Sequence, residues 1–437
     1  MLDFIRIACA VPAVKVGDVK KNAQDICDYM EKADARNVDI LLFPELSLTG
    51  YTCGDLFLQD ALHNAVEDAL KKIIACSQTH PGLTAVVGLP VRMGMRLLNC
   101  AAVISGGELR GLVSKTYLPD YGGFNESRWF SAVGDGTVVT LCGEQYCVGT
   151  DMLYKVGDAT VGIEVCEDFF APVPPSSFLA LNGAEVILNL AASPALAGNK
   201  YGRGGHVQAY SERIKSIYAY CSAGYTESTS DLVYSGHSVI AENGTVLAES
   251  DGVAVSDYML VQDCDLGRIR SARWNNSTFR NAALRYSGEI RKELCYNDAL
   301  RSDGTLYPVQ KLPFIPATAQ ARKQYCRDMF QLQVTGLKQR LATIRSNAVI
   351  GISGGLDSTL ALLVAVEAMR QLGRPVSDVY GVTMPCFGTS DRTYNNAWEL
   401  MRTLGINAKE ISIKNAVTLH FEDIGHDINV QDRKSVV

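Results

Sequence analysis

Three residues in the first half of the chain have types and positions that could together cleave an amide. Glu45 follows the apolar run DILLF and Pro44, Lys115 follows ELRGLVS, and Cys166 follows ATVGIEV. Each run reads as a strand, so each functional residue stands where a sheet delivers side chains to one rim. Amide cleavage needs a nucleophile, a base that takes its proton and returns it to the departing amine, and a positive group near the oxyanion. Cysteine, glutamate and lysine supply those three. Taken singly, Glu45 is as well read as a loop acid, Lys115 as a solvated cation and Cys166 as a small buried hydrophobe.

A second cluster is local: Ser353-Gly354-Gly355-Leu356-Asp357-Ser358, between the strand-like AVIGI and a helical stretch from about residue 359 to 372. Backbone N–H groups and a helix N-terminus then point at one spot, which suits a polyphosphate. The glycines allow close backbone approach, the serines donate hydrogen bonds, and Asp357 can hold a magnesium ion bridging phosphates. The lysine of GxxxxGK[ST] is missing, which disfavours a Walker-type hydrolase. The six histidines, His63, His80, His206, His237, His420 and His426, show no metal-ligand spacing.

The elements that must position these residues alternate between strand and helix, so the chain is read as α/β. Val19, Ala23, Ile26, Met30 and Ala33 mark one face of an amphipathic helix, with a further helix over 61–75. Strands are expected at 39–43, 83–89, 101–105, 108–113, 159–165, 185–190, 235–241 and 258–263, with a helix over about 205–222. The periodicity fades from about residue 280 to 316, and YNDALRSDGTLYPVQKLPFIP is rich in turn formers. The expected division is 1–275, a linker over 276–318, and 319–437. The last part reads as helix 319–341, strand 348–352, helix, and strands near 379–383 and 410–413, the start of a doubly wound parallel sheet. Three parallel strands are few for such a sheet, and an incomplete domain is expected.

Composition bounds the class. With 437 residues, 47% apolar and 20% charged, the chain can bury real cores and should hold two or three units. A net charge of −6 without a basic stripe gives a nucleic-acid partner no support. No stretch approaches membrane-spanning length, and MLDFIRIACAV lacks the apolar core of a signal peptide. Thirteen scattered cysteines without CxxC pairs point to reduced thiols and a cytoplasmic location.

The surroundings of the three strand-end residues match a family. FPELSLTGY at 43–51, SKTYLPDY at 114–121 with FNESRWF at 124–130, and GIEVCEDFF at 162–170 resemble the nitrilase superfamily, and specifically the glutaminase domain of NAD⁺ synthetases, over most of residues 1–270. The resemblance implies a nitrilase-like αββα sandwich with Glu45, Lys115 and Cys166 as catalytic triad and Glu126 orienting the lysine. Cys166 would form a thioester with the glutamine side chain, with the backbone N–H after it assisting Lys115 at the oxyanion. NLAASPALAGNKYGR and YTESTSDLVYSG resemble the glutamine pocket, and the family analogy assigns Tyr121, Ser193 and Arg203 to glutamine. Phe169 and Phe170 stand where the family usually carries a tryptophan, a departure that bears on pocket shape.

SGGLDS in its strand–loop–helix frame resembles the signature of N-type ATP pyrophosphatases, which split ATP into AMP and pyrophosphate. TMPCFGTSDRTYNNA at 383–397 looks like the corresponding NAD⁺ synthetase segment and implies Thr389 or Ser390 near ATP. Asparagine synthetases resemble enzymes with an N-terminal cysteine, whereas Leu2 follows Met1 here, and the Cys-His-Glu amidotransferase of GMP synthetases is not seen. The combination implies glutamine-fed amidation of deamido-NAD⁺, with ATP as co-substrate, Mg²⁺ on Asp357, no tightly bound organic cofactor, an ammonia tunnel and a homo-oligomer. Family members continue beyond this chain, and DRKSVV breaks from their pattern, so an assembly artefact is expected at the terminus. Two other readings are a stand-alone nitrilase-class amidase and a nucleotide-binding regulatory protein.

Overall fold

Along the first strand, β1 (Phe4–Val11), Ile5, Ile7, Cys9 and Val11 enter one apolar core while Ala8 and Ala10 enter another. That period-two division is what a strand buried on both faces requires. The computed structural model describes residues 3–197, 199–288, 290–294 and 300–427, and the chain divides into two compact units, Met1–Val309 and Gln310–Val437.

In the first unit β1 leads to α1 (Val19–Asp34), whose N-terminus is capped by the Asp18 side chain accepting the Lys21 N–H. There follow β2 (Ile40–Leu42), α2 (Asp60–Ser77), β3 (Thr84–Met93), β4 (Arg96–Ser105), β5 (Glu108–Ser114), β6 (Thr137–Leu141), β7 (Glu144–Val148), β8 (Met152–Val156) and β9 (Ala159–Val165). Then come α3 (Pro175–Leu181), β10 (Val186–Ala191), α4 (Asn199–Arg213), β11 (Ile217–Ser222), β12 (Ser238–Glu242), β13 (Thr245–Glu249) and β14 (Tyr258–Asp265). The unit closes with α5 (Leu266–Trp274), α6 (Ser277–Tyr286) and β15 (Arg291–Leu294).

The strands form two sheets, ordered β14-β1-β2-β3-β4-β5-β7-β6 and β13-β12-β11-β10-β9-β8-β15. Ile5, Ile7, Val86 and Val113 of the first meet Ile163, Val165 and Leu188 of the second in one core. Ile26 and Met30 of α1 and Val66 and Leu70 of α2 pack on the other face of the first sheet, and Leu179 of α3 lies against Gly162 of the second. The result is a nitrilase-like αββα sandwich. Strand β2 pairs parallel with β1 and β3, and β9 parallel with β10, so residues that follow β2, β9 and β10 emerge at C-terminal strand ends.

Several boundaries differ from the sequence reading. The stretch expected as one helix over 205–222 divides into α4 and β11, because a short buried apolar run has no period that separates helix from strand. The short strands β6 to β8 and the helices α5 and α6 were not anticipated. The break between compact units falls at Val309/Gln310, inside the segment expected to be a linker from 276 to 318. Residues 300–309 are bound to the sandwich by polar contacts that carry no periodicity. Arg301 donates to Asp34 and, from its backbone, to Asp39; Asp303 pairs with Arg6; and Tyr307 donates to Glu242.

The second unit contains α7 (Ala319–Ile344), β16 (Ala348–Gly351), α8 (Leu356–Gln371), β17 (Val379–Thr383), α9 (Asp391–Leu404), β18 (Asn407–Glu410) and α10 (Lys414–Ile424). Its three strands are parallel in the order β16-β17-β18, a parallel α/β sheet, with the last strand starting three residues before the expected 410. Val334, Leu341, Leu362, Ala365, Met369, Ala397 and Met401 form its core. Among the described residues no helix is long and apolar enough to cross a membrane, and the described cysteines are free thiols. The DRKSVV segment lies outside the described residues.

A fragment ending at Val309 is expected to melt in the same cooperative transition as the sandwich in the full chain. A fragment ending at Asn275 should melt at a lower temperature or fail to fold, by circular dichroism. Equal melting temperatures would place the boundary where the sequence reading had it.

Candidate active site

Glu45 leaves the end of β2 through Pro44 in a tight bend. A Cβ on Gly88 of β3 would come within 2.3 Å of the Leu46 nitrogen and 2.6 Å of the Pro44 oxygen, so only glycine lets β3 pass this bend. Lys115 follows β5, and its ammonium donates to Glu45 Oε1 at 2.7 Å and to Glu126 Oε1 at 2.6 Å. All three side chains are buried. Asn99 Nδ2 donates to the same Glu45 oxygen at 2.7 Å, and the Tyr51 hydroxyl to Glu126 Oε1 at 2.6 Å. Glu45 Oε2 and Glu126 Oε2 are buried without a hydrogen-bond partner. A buried unpartnered carboxylate oxygen is costly and persists where something must use it.

Cys166 opens a short 3₁₀ turn directly after β9, with φ +45°. A non-glycine residue in that region is strained, of order 1–3 kcal/mol. Burial pushes its thiol well above the ordinary range, the charge of Glu45 adds to this, and Lys115 opposes it. The charges of Glu45, Lys115 and Glu126 therefore all act on one sulfur. For Lys115, burial works against the ammonium but the charges of Glu45 and Glu126 overcome it, and its pKa lies well above the usual value. One cation cannot neutralise two buried carboxylates. Glu126 carries the shortfall: burial raises it to about 7 even though Lys115 pulls it down.

The residues assigned to glutamine by resemblance fall in two places. Ser193, just beyond β10, hydrogen-bonds the Tyr220 hydroxyl, and the buried Arg203 of α4 lies over the Tyr220 ring, 5.9 Å from its centroid. Arg203 donates to Ser235 Oγ at 3.1 Å and to the Pro194 carbonyl at 3.0 Å. It also lies 3.3 Å from His237 Nδ1, whose other ring nitrogen meets Glu249, and among the described residues no carboxylate is paired directly with it. Tyr220 feels the charges of Arg203, Cys166 and Glu45, which joins this cluster to the reactive group. Tyr121 stands apart, exposed, with its hydroxyl 2.6 Å from Glu167 Oε1, the residue after Cys166. Phe169 packs against Tyr210, Tyr218 and Tyr220, whereas Phe170 is partly open to solvent.

In the second unit, Gly354 takes φ +80°, and a Cβ there would lie 2.0 Å from the Thr393 carbonyl oxygen. Gly355 caps α8, and Ser353 Oγ lies 3.2 Å from Ser358 Oγ across the loop. Leu356 and Asp357 are exposed in the first turn of α8. A cavity of about 320 Å³ is lined by Ser353, Thr383, Met384, Gly388 and Thr389. Gly354, Gly355, Ser390, Arg392 and Asn396 border a larger one of about 860 Å³. The described residues hold no cluster of three or more metal-ligating side chains. A lone exposed carboxylate fits magnesium, which keeps several waters and shares phosphate oxygens rather than filling a protein cage.

A family model for carbon-nitrogen hydrolases matches residues 6–274. The chain belongs to the carbon-nitrogen hydrolase family. A second model, NAD synthase, matches residues 329–435. The chain is 38% identical to the glutamine-dependent NAD(+) synthetase of Mycobacterium leprae (strain TN), over 97% of its own length and 63% of that protein's. It spans 63–64% of the length of the first curated relatives it matches. Two solved structures share the fold. A glutamine-dependent NAD(+) synthetase from Cytophaga hutchinsonii aligns at TM-score 0.53 and 23% identity, over 98% of this chain and 69% of that one. The one from Acinetobacter baumannii, in complex with adenosine diphosphate, aligns at 0.51 and 20%, over 99% and 69%.

Within this carbon-nitrogen hydrolase site, sequence reasoning gave no role to Tyr51, Asn99, Glu167, Asp168 or Tyr220, and in the second unit it gave none to Arg392. Tyr51, Glu167 and Asp168 lie inside the quoted motifs, so their adjacency was the available signal. Asn99 sits mid-strand in RLLNCAAVIS, where a polar residue in an apolar run should have drawn notice.

Because the Cys166 thiol is raised above its ordinary value near 9, its thiolate fraction grows only in alkali. Iodoacetamide labelling of Cys166, followed by peptide mass spectrometry, is expected to keep accelerating above that pH. A plateau below about pH 8, the behaviour of a preformed thiolate, would contradict this.

Proposed function

We propose that the first unit hydrolyses glutamine through a cysteine thioester and that the chain is part of a glutamine-dependent NAD⁺ synthetase. The observation that carries the reading is Lys115 held between Glu45 and Glu126 beside the buried, strained Cys166. Arg203 and Ser193 hold the amino-acid end of glutamine, an arginine suiting a carboxylate by its forked donors, and Tyr121 lies at the mouth. Glu45, through its free Oε2, takes the thiol proton as the sulfur attacks the side-chain carbonyl. Lys115 and the N–H after Cys166 stabilise the oxyanion, while Glu126 holds Lys115 in place. Collapse of the tetrahedral species breaks the C–N bond, and Glu45 returns the proton so that ammonia leaves. Water activated by Glu45 then hydrolyses the thioester, releasing glutamate and restoring the thiol.

The second unit, in the same reading, binds ATP, with Ser353 to Ser358 around the phosphates and Thr389 or Ser390 near the nucleoside. Asp357 would hold Mg²⁺, which supplies charge neutralisation when bound. The carboxylate of deamido-NAD⁺ attacks the α-phosphorus, pyrophosphate leaves, and ammonia then displaces AMP to form the amide. Ammonia must pass as the free base, since ammonium has no lone pair, and its sheltered transfer is part of the proposal. So are a cytoplasmic location and a homo-oligomer. The ADP complex of the Acinetobacter protein and the NAD synthase match support the nucleotide part.

The purified chain is expected to release glutamate from glutamine, and Cys166→Ala to abolish that release. Release unchanged in the variant, or none from the parent with ATP and deamido-NAD⁺ present, would overturn the glutaminase reading. Gly354→Ala should remove Mg·ATP binding measured by calorimetry while leaving glutamate release intact, because the added methyl collides with the Thr393 carbonyl. Unaltered ATP binding would move the nucleotide site elsewhere.

A further inference from the structure

Lys115 and Cys166 sit on different sheets, at the ends of β5 and β9. What joins those sheets is largely apolar packing, which is non-directional, whereas catalytic groups must be held within about 0.5 Å of their working geometry. Asp168 supplies direction. Its carboxylate is fully buried. Oδ1 accepts the backbone N–H groups of Thr116 and Tyr117, both at 2.9 Å, immediately after Lys115. Oδ2 accepts the Val165 N–H at 3.1 Å, immediately before Cys166. One oxygen thus grips the lysine strand and the other the cysteine strand. Asp168 also lies within the 3₁₀ turn Cys166–Phe170, so the same bond to Val165 closes the turn that holds Cys166 at positive φ.

We propose that Asp168 is a positioning residue that clamps the rims of the two sheets together and sets the separation of Lys115 from Cys166. The catalytic part of this rests on the glutaminase reading; the mechanical part does not. A neutral amide of the same size keeps one oxygen acceptor and turns an NH₂ toward a backbone donor, so Asp168→Asn must release one rim. Asp39 gives a matched control. It too is a fully buried acid, accepting two backbone N–H groups, from Arg6 and Arg301, where Asp168 accepts three, but it precedes β2, at the opposite end from Glu45.

Asp168→Asn and Asp39→Asn are compared in the full chain. Both are expected to lower the melting temperature. Only Asp168→Asn should cut kcat for glutamine, by about 100-fold or more, the scale of a 1 Å misplacement, with KM within about threefold. Hydrogen exchange, followed by mass spectrometry without substrate, should quicken in a peptide spanning Thr116 and Tyr117 or in one spanning Val165. Exchange unchanged in both segments overturns the clamp whether or not the parent turns over glutamine. Faster exchange with kcat within about threefold of the parent, or equal kcat losses in the two variants, overturns the positioning role.

Discussion

The burial of one ammonium between two carboxylates is the constraint around which the first unit is arranged. Taking such charges out of water costs several kcal/mol per ion, recovered only if geometry is good and the remaining donors and acceptors are met. Lys115, Glu45 and Glu126 meet the first condition and breach the second on purpose-built terms, since one oxygen of each carboxylate stays unpartnered. Tyr51 and Asn99 feed hydrogen bonds only to the oxygens that Lys115 already occupies. The cluster is therefore one cation short of neutral, with its proton-accepting capacity on the bare oxygens. In the proposed mechanism a thiol kept protonated by burial is the matching partner, because it would hand over its proton only as attack makes the transfer favourable.

Strain collects at the same rim. Cys166 and Leu46, the residue after Glu45, both take positive φ, and Gly88 lets β3 pass the Glu45 bend with no room for a methyl group. Such conformations persist only where the surroundings over-determine them. Here the surroundings are two apolar cores, one between the sheets and one beneath α1 and α2. The cores reach up to the rim, with Cys166 a member of the first and Leu46 of the second, so the strained residues are held by the same apolar packing that fixes the strands.

What was legible in the sequence follows from the range of each interaction. Runs such as DILLF and ATVGIEV announce strands by composition, and a reactive residue placed just beyond each run is visible at once. The residues that orient them are not. Asn99 reaches Glu45 across 54 positions and Asp168 reaches Thr116 across 52, and neither contact has a period or a spacing. The contacts of segment 300–309 were hidden for the same reason. Its turn-rich composition reads as a linker, while Arg301, Asp303 and Tyr307 pair with charges at Asp34, Arg6 and Glu242 from three distant parts of the chain. Local chemistry was readable; long-range polar pairing was not.

The two candidate sites answer opposite solvation problems, and that difference governs their legibility too. The proposed triad keeps water away from charged side chains, and it exists only when residues 45, 115 and 166 have been brought together by the sandwich. The loop Ser353 to Ser358 would act through backbone N–H groups and the N-terminus of α8, whose orientation is built into the turn and needs no burial. Its lining can stay open to solvent, with Leu356 and Asp357 exposed, because the proposed ligand, a polyphosphate with its magnesium, would keep part of its water. Six consecutive residues therefore suffice to announce the second site, whereas the first depends on contacts spread over the whole of the first unit.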